Sequence, residues 1–178
     1  MDKEGSFKWV FIILIATLLI AFLWNQLPII KDSVHAVLNP SAGKLLNWNI
    51  TFGMTILVFI ITAITTLLQK YTTDQKTLKE LKNEQKILQE EMKKYKENPQ
   101  KIMELQKKQM EFIPKTMKLT MRPIIFTGIP FVLFFRWFMD YFAVIPDFKF
   151  FGFFSWFWFY LLGSILFSMI LRKAFKVY

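Results

Sequence analysis

Thr51, Thr55, Thr62, Thr66 and Gln69 follow one another at spacings of 4, 7, 4 and 3 in an otherwise apolar stretch. At about 100° per residue they share an arc of roughly 60° on one helix. Thr116, Thr120 and Thr127 repeat the 4 and 7 spacings, and Ser164 with Ser168 forms a shorter pair. Three such stripes facing one another would line a groove that water can enter within an apolar layer. The same hydroxyls could instead donate to their own preceding turns and let the helices pack closely. Lys70, Lys118 and Arg122 cluster at one end of the stripes as a candidate cationic mouth, or as anchors that reach lipid phosphate. Met103, Met110, Met117 and Met121 are unbranched and polarizable, suited to an adaptable apolar entrance or simply to filling gaps between helices.

Bond-breaking chemistry has little to work with. The chain has no cysteine, which excludes disulfides, thiolate metal sites and cysteine nucleophiles. The single histidine, His35, reads as a solvated loop residue. Asp140 is the only carboxylate within the apolar windows, whereas intramembrane aspartyl hydrolysis needs a pair. No glycine-rich phosphate loop or metal-ligand cluster appears, so neither an enzyme nor a cofactor is expected. Arg136 and Asp140, four residues apart, are expected to pair on one helix face, alongside the interfacial Trp137 and Tyr141.

The elements that must position these residues are membrane helices. Of 178 residues, 54% are apolar and 18% aromatic, yet 23 are Lys or Arg against 13 Asp or Glu, a combination foreign to a soluble core. Apolar windows at 7–27, 50–68, 119–142 and 151–171 each approach the roughly 20 residues that span a bilayer. The chain therefore divides into a hydrophobic helix at 1–29, a connector at 30–49 and a first core helix at 50–69. A polar hairpin at 70–115, a second core helix at 116–143, a loop at 144–150, a third core helix at 151–171 and a basic tail at 172–178 complete it. The first helix is read as uncleaved, although a small-residue site at SVHA would allow a signal peptide. Asn49-Ile50-Thr51 is a glycosylation sequon, read as a chance match.

Residues 70–118 carry 13 Lys and 8 acidic residues, a net charge of +5, and the tail adds Arg172, Lys173 and Lys176. By the positive-inside rule the hairpin and the C-terminus are cytoplasmic in a multi-pass protein. Leu78, Leu81, Gln85, Leu88, Met92 and Tyr95 recur at 3, 4, 3, 4 and 3, the stripe of a coiled-coil helix. Asn98 and Pro99 suit the cap and first turn of a second helix, making an antiparallel hairpin. Pro114 is expected to kink or interrupt that helix at the membrane boundary and act as a hinge. The fold class is thus an all-α integral membrane protein: a three-helix core, a cytoplasmic helical hairpin, and an extra N-terminal helix.

The run NPQKIMELQKKQMEFIPKTMKLTMRPIIFTGIPFVLFFRW, residues 98–137, in a chain that has a core helix leading into a hairpin and a final helix ending inside, resembles the archaeal YidC-like proteins. These belong to the Oxa/YidC membrane insertase superfamily, relatives of the insertase subunit of the ER membrane complex, and the resemblance spans about residues 45–175. It implies an insertase or membrane chaperone of the cell membrane that takes hydrophobic segments of nascent membrane proteins without ATP. The implied client groove carries Thr55, Thr62, Thr66, Gln69, Thr120, Thr127, Ser164 and Ser168. The ribosome, contacting the basic hairpin through its RNA, the lipid bilayer and accessory membrane subunits are the implied partners. Bacterial members place an arginine in the first core helix, and residues 50–68 have none. Two rivals remain. One is a scaffold whose coiled coil recruits a cytoplasmic partner, and the other is a small transporter, which would call for buried charges and broken helices.

Overall fold

A computed structural model describes residues 7–177. The chain is all helical, in the order α1 (Phe7–Leu23), α2 (Pro28–Leu38), a π-helical turn (Asn39–Gly43), α3 (Lys44–Trp48), α4 (Ile50–Thr72), α5 (Gln75–Lys94), α6 (Pro99–Ala143) and α7 (Trp156–Phe175). Among the described residues α4, α6 and α7 are long and apolar enough to cross a membrane. The segment from Pro28 to Trp48 bends 93° away from α1. The expected connector is therefore largely helical.

Local chemistry sets the boundaries. Asn49 caps α4, its side chain accepting from the Phe52 amide at 3.0 Å, which gives that residue a structural task of its own. Asp74 caps α5 by accepting from the amides of Lys76 and Thr77. Asn98 caps α6 at the Lys101 amide with Pro99 in the first turn, as the sequence suggests. Pro114 does not interrupt α6, nor do Pro123 and Pro130; all three lie within one 45-residue helix, on the order of 70 Å long. The boundary drawn at 115–116 thus falls inside a continuous rod. The aromatic run begins as a turn rather than a helix, because Phe151 and Gly152 adopt φ of 53° and 84°. This turn tucks Phe150 fully inside, where it stacks on Phe159 at 4.2 Å.

The three spanning helices are packed unequally along their length. At the end away from the hairpin, Leu46, Met54, Val58, Trp137, Phe138, Phe142 and Phe150 form the core, and Phe138 and Phe142 meet Trp156 across α6 and α7. Gly53 is required there, since a Cβ would lie 2.4 Å from the Leu45 carbonyl oxygen. Toward the hairpin Arg172 of α7 still meets Gln69 of α4, whereas the backbones of α6 and α7 stand apart along nearly their whole length. Leu78 and Leu81 of α5 close over Leu119 with Phe112 alongside, so the base of the hairpin rests on this open half. Of the expected hairpin stripe, only these two leucines are buried; Gln85, Leu88 and Met92 are half-buried and Tyr95 is exposed.

Two expectations at the far end give way to a different arrangement. Arg136 and Asp140 do not pair. One oxygen of Asp140 instead accepts from Trp24 Nε1 at 2.9 Å and meets His35 Nε2 at 3.0 Å and Lys31 Nζ at 3.2 Å. His35 is accordingly a half-buried member of α2 rather than a solvated loop residue. Asp140 reaches back more than 100 positions to fasten α2 and the turn after α1 onto α6, a link no local spacing could announce.

Candidate functional site: a polar groove between three helices

The open half of the bundle holds a cavity of about 360 Å³. Thr65, Thr66 and Gln69 of α4 form one wall, Thr116, Thr120 and Thr127 of α6 a second, and Ser168 with Arg172 of α7 a third. Leu78 and Lys82 of α5 cover the hairpin side. A second hollow of about 430 Å³ shares Thr65, Ser168 and Arg172 and extends past Thr62 and Ser164 to Phe131 and Tyr160, where the aromatic contacts close it. At the lateral margin, Ile124, Phe131, Ile165 and Met169 are exposed, so the groove opens sideways from the protein.

The hydroxyl stripes are both things that their spacing allowed. Thr62 donates to the Val58 carbonyl at 2.7 Å, Thr66 to Thr62 at 2.7 Å, Thr120 to Thr116 at 2.9 Å, Thr127 to Pro123 at 3.0 Å and Ser164 to Leu161 at 2.9 Å. Each hydrogen is thereby spent on its own turn, but each oxygen keeps lone-pair capacity. Other groups are left in need of partners: Thr116 Oγ1 and Arg172 Nε are buried without a hydrogen bond. A buried polar atom without a partner costs on the order of 1–3 kcal/mol, so water or a polar guest in the groove is favoured.

Arg172 is the residue that sequence reasoning missed. Its Nη2 donates to Gln69 Oε1 at 2.8 Å, bringing a permanent positive charge into the groove wall. Ser164, Ser168 and Arg172 are each four apart on α7, and this continuation of the stripe was the available signal. Thr65 and Lys82 were also unforeseen lining residues.

Of the foreseen groove residues, Thr66, Gln69, Thr120, Thr127 and Ser168 line the first hollow, and Thr62 and Ser164 the second. Thr55 does not join them; it bonds the Thr51 carbonyl at 2.8 Å, nearer the packed end. Lys70 lies over the Phe175 ring, 5.9 Å from its centroid, and neither it nor Lys118 or Arg122 lines either hollow. The charge of the site is Arg172 and Lys82 instead. Met103, Met110 and Met117 are exposed along α6, while Met121 is buried and contributes no entrance surface.

A family model described as Integral membrane protein EMC3/TMCO1-like matches residues 35–178, a stretch that includes every groove residue and omits α1. No curated protein and no solved structure matches the chain.

Proposed function

The chain belongs to the EMC3/TMCO1-like integral membrane family, within the Oxa1/YidC-related insertase superfamily, and from that premise we propose that it inserts hydrophobic segments of nascent proteins into the membrane. The observation that carries the reading is the laterally open polar groove with a half-buried arginine whose Nε has no hydrogen-bond partner. A closed bundle with fully satisfied polar groups would serve a scaffold equally well; an open one has a use for a guest.

The hairpin and C-terminus face the cytoplasm of a cell membrane in this reading, because the lysine-rich segments lie there. Met103, Met110 and Met117, joined by the exposed Ile113, offer an incoming apolar segment a deformable surface. That surface runs down α6 to Ile124 at the groove margin. Water and hydroxyl oxygens in the groove lower the cost of drawing a short polar tail across, which in dry hydrocarbon is several kcal/mol per unpaired group. Arg172 attracts a tail that carries acidic residues, from α7 rather than from the first core helix. The client then leaves between α6 and α7 into lipid, where its own hydrophobicity retains it. The basic hairpin receives ribosome-bound chains, with RNA as the attractive surface, and accessory membrane subunits are expected partners.

A photoreactive side chain placed singly at Thr62, Thr127 or Met117, with lipid-facing Phe157 as control, tests this against ribosome-bound chains exposing one new membrane helix. Crosslinks at the first three positions that disappear on client release support the proposal. Equal labelling everywhere, or none, transfers it to the scaffold. Channel activity would appear as ion flux in the same vesicles.

A further inference from the structure

The end of the bundle away from the hairpin holds a positive charge that the described residues do not balance. Asp140 is taken by Trp24, His35 and Lys31. Arg136, one turn earlier on α6, has no carboxylate within ion-pair distance among the described residues. Its Nη1 meets only the Met139 sulfur at 3.9 Å, and its Nε is buried with no partner. The guanidinium carbon stands 5.8 Å from the centroid of the Trp24 ring. Lys31, Asp140 and Arg136 by themselves therefore carry one positive charge in excess.

Depth decides what can balance it. Arg136 lies seven residues before α6 ends at Ala143, about 10 Å along the axis. Within about two turns of its end, a membrane-spanning helix passes from the acyl chains into the headgroups. At that boundary the abundant anion is lipid phosphate, and the planar fork of a guanidinium suits two phosphate oxygens. A thioether is a weak acceptor, so Arg136 loses little by turning from Met139 toward a stronger one.

We propose that Arg136 and Lys31, beside the Trp24 indole, bind the phosphodiester of an anionic phospholipid in the leaflet at this end of the protein. Such a lipid bridges α2, the turn after α1 and α6, the elements Asp140 already joins, and supplies the acceptor that Arg136 lacks. Zwitterionic lipid offers the same phosphate but no net charge to match the excess. This site is separate from the groove and does not depend on the function proposed for it.

The experiment uses the full-length protein, delipidated in mild detergent and titrated with phosphatidylglycerol or phosphatidylcholine under native mass spectrometry. Arg136→Gln is expected to weaken binding of the first phosphatidylglycerol by about fivefold and phosphatidylcholine far less, while Lys149→Gln, at the same end but outside the cluster, changes neither. Arg136→Lys keeps the charge without the fork, is the safer variant for folding, and should fall between. Phosphatidylglycerol affinity within about twofold of the unaltered protein in both Arg136 variants, verified as helical by circular dichroism, overturns the proposal. Displacement of phosphatidylglycerol by inorganic phosphate overturns it too, by identifying a free-anion site.

Discussion

Replacing Arg172 by glutamine removes the half-buried charge of the groove while leaving an amide that can still bond Gln69, whose Oε1 now accepts from Arg172 at 2.8 Å. The size of the effect follows from the dimensions of the site. A space of 360 Å³, taken as a sphere, is about 9 Å across. At an effective dielectric near 20, two unit charges that far apart attract by about 2 kcal/mol. That is roughly thirty-fold in a rate limited by bringing an acidic tail into the groove. The assay is insertion into vesicles containing the purified protein, read by protease protection of a single-helix client. Two clients are compared, one with an acidic translocated tail and one with the acids changed to amides. Insertion of the acidic client should fall about thirty-fold and lose most of its salt dependence, with the amide client within a few-fold of its starting rate. An equal loss for both clients would mean that Arg172 acts on the packing of α4 against α7, and no loss for either would refute the electrostatic reasoning altogether.

Gly53→Ala places a methyl 2.4 Å from the Leu45 carbonyl oxygen, so thermal unfolding in detergent should show a destabilisation of at least about 1–3 kcal/mol. Changing Met103, Met110 and Met117 together to serine should leave that midpoint nearly unmoved, because all three are exposed, and still reduce client crosslinking to the hairpin. Asp140→Asn removes the charge that holds Lys31 and should loosen α1 and α2, on the order of 1.5–3 kcal/mol for bonds to a charged group. Faster amide exchange over residues 28–48, with α4 unchanged, is the expected readout, and an unchanged pattern would show that helix packing alone holds them.

The core helices were legible because a lipid-spanning helix must be long and apolar, and because Thr62, Thr66, Thr120 and Thr127 interrupt that character at helical intervals. Caps were legible for a similar reason: Asn98 and Pro99 act through bonds within three residues. Whatever depended on distant partners was not. Asp140 has an arginine four residues before it, and the local rule pairs them, but Trp24, Lys31 and His35 arrive from the other end of the chain. Arg172 looks like the first residue of a basic tail until α7 is seen to continue to Phe175 and turn it toward Gln69. The helical pattern of the aromatic run likewise hid the turn at Phe151 and Gly152, since backbone angles leave only a single glycine as their trace. At Pro114 the loss of one backbone hydrogen bond predicts a kink or an interruption, and the interruption does not occur because the neighbouring turns of α6 carry the helix through.

The unbroken course of α6 has a mechanical meaning. One continuous helix serves as the second arm of the hairpin and as a wall of the groove, so a load applied near Pro99 is passed along it and not lost in a loop. It acts as a lever arm, anchored at the far end where Trp137 and Phe138 are clamped in the core. Torque must then be taken up where the shaft is most compliant. Pro114, Pro123 and Pro130 each omit one of its backbone hydrogen bonds, and Pro123 lies in the groove wall itself. Bending there would change the width of the gap between α6 and α7, so under the proposed function a client that pulls on the hairpin tip would work the opening through which it leaves.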